Sequence, residues 1–307
     1  MKNLFIFPGQ GSQRVGMGKD LVENFKIAAH TFEEASDVLD LDMKKMCFEG
    51  PEVELQKTFN AQPALLTVSI AVLRVLEKES SLRPDIVAGH SLGEYSALVA
   101  AAAFSFSEAL RLVRARGEYM QEATPLGVGA MAAILGLDAK KVEDYCSKIS
   151  RKKHIVACAN FNAPTQIVIS GHKDAVEEAS QLCKKDNARV IPLPVSAPFH
   201  CDLMKSAEEK MARVLELVRV QKLKTPYIAN YDAKLRNDSH EVKDLLISQM
   251  CHSVRWVDCM NTALQCGVEQ GFEVGYGSVL KGLMKKIDEQ FPMKTLSSVE
   301  DLKEVIS

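Results

Sequence analysis

Neither sign of charge dominates this chain of 307 residues: 38 lysines and arginines face 40 aspartates and glutamates, for a formal net charge of −2. That balance removes the bulk electrostatic case for binding nucleic acid or an anionic membrane surface. Long apolar runs are missing too. The longest, Ala97 to Phe104, falls far short of the ~20 residues needed to span a bilayer, so no membrane insertion is expected. No basic region or apolar segment of a secretory signal precedes the first apolar stretch, Leu4-Phe5-Ile6-Phe7. The eight cysteines (Cys47, Cys146, Cys158, Cys183, Cys201, Cys251, Cys259 and Cys266) contain no C-x-x-C and no zinc-type spacing. A metal site is therefore not expected, and the thiols read as reduced ones in a cytoplasmic protein rather than as a disulfide framework. Aromatics are scarce at 6%, and with 12 methionines and many alanines the composition suits a helix-rich α/β core. The length allows one large domain or two of unequal size, and there are no repeats or low-complexity tracts.

The most informative stretch that is present is Gly89-His90-Ser91-Leu92-Gly93. Asp85-Ile86-Val87-Ala88 before it reads as a short buried strand, and Leu92 through Ala103 after it as a buried helix. A Gly-x-Ser-x-Gly between strand and helix is a nucleophile elbow, in which glycines permit a turn tight enough to push the serine hydroxyl into a cleft. The helix N-terminus behind it adds free N–H groups and partial positive charge, which favour a developing oxyanion. Ser91 is the candidate nucleophile.

Around this elbow the chain alternates strands and helices. Leu4–Phe7 ends in the Gly-rich turn Pro8-Gly9-Gln10-Gly11-Ser12-Gln13. Helical patterns follow at Leu21–Leu39, from Pro63 through Leu76, with Gln62-Pro63 as a start signal, and at Ser107–Ala123. The alternation predicts a parallel sheet covered by helices. From Leu126 to Val195 the rhythm changes: strand Ala130–Leu137, helix Asp138–Ile149 capped by Asp138, strands His154–Ala159 and Gln166–Ser170, helix Lys173–Lys185, strand Arg189–Val195. This β-α-β-β-α-β order is the split-βαβ, ferredoxin-like arrangement. The expected division is a large α/β domain, 1–126 and 198–307, carrying an inserted small subdomain, 127–197.

A serine hydroxyl needs a neighbouring base. Among seven histidines spacing alone cannot choose, but His200 stands in Ser196-Ala197-Pro198-Phe199-His200, where the insertion rejoins the large domain and an interdomain cleft would lie. His90, next to the serine, should point away and reads as structural. Arg116 falls inside the apolar stripe formed by Ala109, Leu112, Val113, Met120 and Ala123, while Arg111, Arg114 and Glu118 fall opposite. An arginine there is either locked in an internal salt bridge or receives a carboxylate in two-point fashion. The Leu92 N–H suits an oxyanion hole, with Gln10 as a second donor. A phosphate-binding loop is the other reading of the Gln10 turn, which lacks the Gly-Lys-Ser/Thr ending of a P-loop.

Taken together, Phe7-Pro8-Gly9-Gln10-Gly11-Ser12-Gln13, Asn60-Ala61-Gln62-Pro63-Ala64, Gly89-His90-Ser91-Leu92-Gly93-Glu94-Tyr95, Arg114-Ala115-Arg116-Gly117, Pro198-Phe199-His200, Val254-Arg255-Trp256 and Phe272-Glu273-Val274-Gly275 resemble one family along nearly the whole chain. It is the malonyl-coenzyme A:acyl carrier protein transacylases and the acyltransferase domains of fatty-acid and polyketide synthases. The resemblance implies a hydrolase-like α/β domain with an inserted ferredoxin-like subdomain. It implies ping-pong transfer of malonyl from malonyl-coenzyme A to acyl carrier protein, through an ester on Ser91 with His200 as base. It also places Arg116 on the malonyl carboxylate, with Gln62, Met120 and Phe199 in the same pocket, and the N–H groups of Gln10 and Leu92 in the oxyanion hole. Backbone carbonyls near Asn230 and Gln249 are implied to orient the histidine, making a dyad. No cofactor is implied beyond the phosphopantetheine that the partner carries.

The chain departs from the family at Tyr276 and at Cys251-His252-Ser253, where proline is usual nearby; both lie away from the chemistry. Rival functions are an esterase or thioesterase on the same elbow, a transferase of larger acyl groups, or a non-catalytic scaffold. Arg116 argues for an acyl group bearing a carboxylate, and Phe199 resembles the malonyl-selective form. Arg151-Lys152-Lys153, Lys184-Lys185 and Lys285-Lys286 are basic clusters that an acidic carrier could use or that could simply be solvated.

Overall fold

The computed structural model describes residues 1–195 and 197–306; Ser196, at the head of the rejoining segment, and Ser307 lie outside the described residues. Its strands are β1 (Asn3–Phe7), β2 (Ile86–Gly89), β3 (Gly129–Leu135), β4 (Val156–Ala163), β5 (Gln166–His172), β6 (Arg189–Pro192), β7 (Tyr227–Ile228), β8 (Leu235–Arg236), β9 (Gln270–Val274) and β10 (Met293–Leu296). They form a six-stranded sheet in the order β10-β9-β1-β2-β7-β8 and a four-stranded sheet in the order β4-β5-β3-β6.

The larger sheet is parallel from β10 to β7, and β8 turns back antiparallel on β7. Its central strand β1 is apolar at successive positions because both faces are covered, as parallel sheets require. Side-chain alternation then divides the core. Phe5, Phe7 and Val87 enter one cluster, with the buried face of helix Thr58–Glu79; Leu4, Ile6, Ile86 and Ala88 enter another around Trp256 and Met260.

In the smaller sheet all pairings are antiparallel, and the helices Ala139–Ile149 and Lys173–Lys185 connect its strands in βαββαβ order. Ile134, Ile167 and Ile169 face those helices, against Val142, Val176 and Ala179. Met131, Ala133 and Val168, on the opposite face, pack into the large core. This ferredoxin-like sheet thus has one face on its own helices and one toward the large sheet. Asp138 caps its first helix by accepting from the Lys141 N–H.

Several boundaries differ from expectation, each for a local reason. The helix expected from Pro63 begins at Thr58, so Pro63 lies inside it. Proline there leaves the Phe59 carbonyl without its helical donor, and Arg114 Nη1 donates to that oxygen at 3.3 Å. The Leu21–Leu39 pattern is two helices, Lys19–Asn24 and Lys26–Leu39, broken at Phe25 in extended conformation. Strand β4 starts later than expected and runs on to Ala163, which puts Asn160 and Asn162 on the strand. Strand β6 ends at Pro192, short of Val195. Among the described residues, helix Thr58–Glu79 is long and apolar enough to cross a membrane by length and composition, but 89% of its apolar window is buried inside the protein.

The elbow depends on two glycines through close approach. A Cβ at Gly89 would lie 1.9 Å from the Gly93 carbonyl, and one at Gly93 would lie 2.1 Å from the Phe7 oxygen. Both obstacles are backbone, which cannot rotate away. Gly89→Ala is expected to lose about 3 kcal/mol or more, the upper range for overpacking. Thermal unfolding should register this as a fall in Tm of roughly 5 °C for a chain of this length; an unchanged Tm would mean that the turn can open without cost.

Candidate active site

Strand β2 delivers the chain into the elbow, where Ser91 takes φ +51°, a left-handed conformation unusual for a residue with a side chain. The turn is held from the neighbouring strand. Asn230 follows β7, the sheet neighbour of β2, and its Oδ1 accepts from the Ser91 N–H at 2.7 Å while its Nδ2 donates to the Gly89 carbonyl at 2.7 Å. The hydroxyl of Ser91 lies 2.8 Å from His200 Nε2. His200 is itself left-handed at φ +58° and only 4% exposed. Its Nδ1 lies 2.8 Å from the Gln249 main-chain oxygen. A carbonyl only accepts, so Nδ1 carries the proton and Nε2 presents its lone pair to the Ser91 O–H. Burial, reinforced by the charge of Arg116, holds the imidazole's ionisation down to about 3. It is neutral at physiological pH.

Arg116 is 1% exposed. Its Nη1 donates to Gln62 Oε1 at 2.9 Å, and its Nη2 to Ser91 Oγ at 3.1 Å and Gln249 Oε1 at 2.9 Å. These partners are all neutral, and Nε has none among the described residues; the internal salt bridge left open by the sequence is not what holds this side chain. Gln62 donates its other amide end to Met120 Sδ at 3.7 Å, which leaves its oxygen toward Arg116.

These groups open on a cleft of about 430 Å³ whose lining includes Gln10, Gln62, Ser91, Leu92, Arg116, Met120, Phe199 and His200. The small sheet closes the other side with Met131, Asn160, Asn162 and Val168. Neither the Gln10 nor the Leu92 N–H donates to another main-chain group among the described residues. Leu112 and Val113, from the same apolar stripe as Arg116, lie in the core and not on the cleft.

The chain matches the acyl transferase domain over residues 4–304. It belongs to the acyl transferase family. A malonyl CoA-acyl carrier protein transacylase of Bacillus subtilis (strain 168) is 47% identical to it over 302 residues, 98% of this chain and 95% of that protein. Among solved structures, an acyl carrier protein S-malonyltransferase from Vibrio cholerae superposes with a TM-score of 0.96 at 43% identity, covering 99% of this chain and 100% of the other. A malonyl-transacylase solved in complex with a type II PKS acyl-carrier protein superposes with a TM-score of 0.97 at 42% identity, covering 100% of this chain and 99% of that one.

Within this acyl transferase site one expected arrangement is corrected. The Asn230 carbonyl accepts from the Arg255 N–H at 3.1 Å and makes no hydrogen bond with His200 among the described residues. Of the two expected carbonyls, that of Gln249 alone meets His200, because the turn after β7 runs beside the elbow instead. His90 is tied away from the serine hydroxyl: its Nε2 lies 2.7 Å from Asn162 Oδ1 on β4, and its ring packs edge-on to Trp256. It nevertheless forms part of the cleft wall.

Two side-chain roles were not expected from the sequence. The side chain of Gln249 links Arg116 to the Ser91 main-chain oxygen, to which its Nε2 donates at 3.0 Å. Glu94, 1% exposed, accepts from the same Nε2 at 2.8 Å. The signal for Glu94 resembles the one that revealed Arg116: a charge where apolar neighbours predict burial, here the one charge of its short helix.

Proposed function

We propose that this chain transfers the malonyl group of malonyl-coenzyme A to the phosphopantetheine thiol of acyl carrier protein, through a malonyl ester on Ser91, for fatty-acid biosynthesis. The observation that carries the malonyl reading is Arg116: a buried guanidinium on the cleft, 3.1 Å from the Ser91 hydroxyl, with only neutral partners. Its one carboxylate neighbour among the described residues, Glu94, lies behind the Gln249 amide, and the free carboxylate of a malonyl thioester supplies a direct anionic partner.

The geometry supports the following steps. Ser91 gives its proton to His200 Nε2 as its oxygen attacks the thioester carbonyl. The oxyanion so formed takes the N–H groups of Gln10 and Leu92. Collapse breaks the C–S bond, and the coenzyme A thiolate leaves with the proton from Nε2. The carrier thiol then repeats the sequence in reverse: it gives its proton to Nε2, its sulfur attacks the ester, and Ser91 departs and is reprotonated. Gln62, Met120 and Phe199 wall the acyl group, and the scheme calls on no prosthetic group of this chain's own. Two further assignments accompany it. The split into 1–126 with 198–307 around an inserted 127–197 is supported by the two separate sheets. A reducing cytoplasmic compartment is supported by eight free cysteines.

The test is intact-mass measurement after mixing with malonyl-coenzyme A and then with carrier protein. One malonyl should appear on the chain and move to the carrier. Release of malonate to water ahead of transfer would make the protein a thioesterase. In the same assay His200→Ala should slow acylation by roughly two to four decades, the worth of a positioned general base. A near wild-type rate in that variant would assign the base elsewhere.

A further inference from the structure

Glu94 is the sole charged residue of the helix Gly93–Ala100. One carboxylate oxygen, Oε2, accepts from the Asn230 N–H at 3.0 Å and from Gln249 Nε2 at 2.8 Å, while Oε1 has no partner among the described residues. The residues it holds are those that meet the reacting groups. Asn230 Oδ1 takes the Ser91 N–H; the Gln249 main-chain oxygen takes His200 Nδ1; Gln249 Oε1 takes Arg116 Nη2. A carboxylate only accepts, so the Gln249 amide must turn its nitrogen to Glu94 and its oxygen to Arg116. Were that amide reversed, an NH₂ would face the guanidinium and the arginine would lose its aim.

We propose that Glu94 is a positioning residue: its carboxylate fixes the orientation of the Gln249 amide and the seat of Asn230, and through them aligns Arg116, His200 and Ser91. This rests on the transfer reaction assigned above. Glu94 touches no reacting atom itself.

Its ionisation makes the device measurable. Burial pushes the carboxyl up to about 7, against the pull of the Asn230 N–H, the Gln249 amide and Arg116, with Asp232 pushing it further up. The other ionisable groups around it, Tyr95, Tyr227 and Cys259, are all shifted upward by burial and stay protonated. A protonated Glu94 loses the charge that strengthens its bonds to the Gln249 amide and the Asn230 N–H, so its hold on both weakens. Transfer should therefore rise with pH as Glu94 ionises. His200, held down to about 3, does not titrate in that range.

The experiment is the pH dependence of kcat/KM for malonyl transfer, which reports ionisations of the free enzyme, from about pH 5.5 to 8.5. Wild type should show a rise with its midpoint near 7. Glu94→Gln keeps the shape and one accepting oxygen. It should lose that inflection and run roughly 10- to 100-fold slower on the alkaline plateau, as expected for misaligned groups. Glu94→Asp, charged but shorter, should keep an inflection at a displaced midpoint and an intermediate rate. A Glu94→Gln enzyme with the wild-type inflection or plateau rate overturns the proposal. If that variant does not fold, an unchanged midpoint in Glu94→Asp overturns it equally. Mass labelling of wild type keeps the two readings apart: no malonyl adduct removes the transfer reaction, whereas a normal adduct in wild type and Glu94→Gln at equal rates removes only the positioning role.

Discussion

Ser91→Ala is expected to abolish the covalent malonyl adduct and to slow transfer by on the order of 10⁴- to 10⁶-fold, the range seen when a nucleophile working as a unit with its base is removed. The reason is geometric. Among the described residues, Ser91 alone combines a hydroxyl 2.8 Å from an unprotonated imidazole nitrogen with a place on the cleft that Gln10 and Leu92 also line, whose N–H groups donate to no main-chain group there. The next candidates, Ser12 and Cys201, do not line the cleft. The Ser12 hydroxyl donates to the Gly9 carbonyl at 3.1 Å and has no histidine partner. Cys201 follows His200 in sequence, but its thiol is 1% exposed and donates to the Pro198 carbonyl. Burial pushes that thiol up to about 11, so little thiolate exists at neutral pH. Intact mass after exposure to malonyl-coenzyme A decides the matter, with thermal unfolding run alongside to show that the elbow survives. A persistent adduct in the alanine variant would move the nucleophile elsewhere and remove the role assigned to His200 with it.

What could be read from the residues depended on how local the cause was. The elbow announced itself because its two glycines are dictated by contacts within a few residues and with β1. Arg116 stood out because a helical wheel places its charge among apolar neighbours, and the structure buries it there. The βαββαβ insertion was legible from alternating patterns in elements long enough to show a period. Strands β7 and β8, at two residues each, carry no period, so the place of Asn230 beside the elbow was invisible. His200 could be favoured only for its position at the junction, since the sequence does not show which histidine meets Ser91 across 109 residues of separation. Pro63 misled for the opposite reason: it is a start signal locally, yet the helix continues through it because Arg114, from another helix, serves the carbonyl it leaves free. Glu94 was in plain view, but its role is set by partners 136 and 155 residues away.

Arg116→Ala separates a malonyl transferase from a generic acyl one. Two charge-assisted hydrogen bonds to the malonyl carboxylate are worth about 1.5–3 kcal/mol each, so their loss should lower kcat/KM for malonyl by roughly 10²- to 10⁴-fold. Acetyl-coenzyme A offers no carboxylate and gains nothing from the guanidinium. Its transfer should be unchanged or faster in the variant. The electrostatics give the sign: after burial, the positive charge of Arg116 is the largest influence holding the ionisation of His200 down. Removing that charge makes the imidazole a stronger base for whatever acyl group is present. Arg116→Lys keeps a charge but not the planar fork, and one ammonium cannot serve Gln62, Gln249 and a bidentate carboxylate together; partial rescue for malonyl is expected. The alanine variant also strands the Gln62 and Gln249 oxygens that Arg116 now satisfies. Thermal unfolding therefore has to accompany the kinetics, because a structural collapse would depress both substrates alike. Equal losses for malonyl and acetyl in a stably folded Arg116→Ala enzyme would make the arginine a scaffold for Gln62 and Gln249, and the malonyl assignment would lose the observation that carries it.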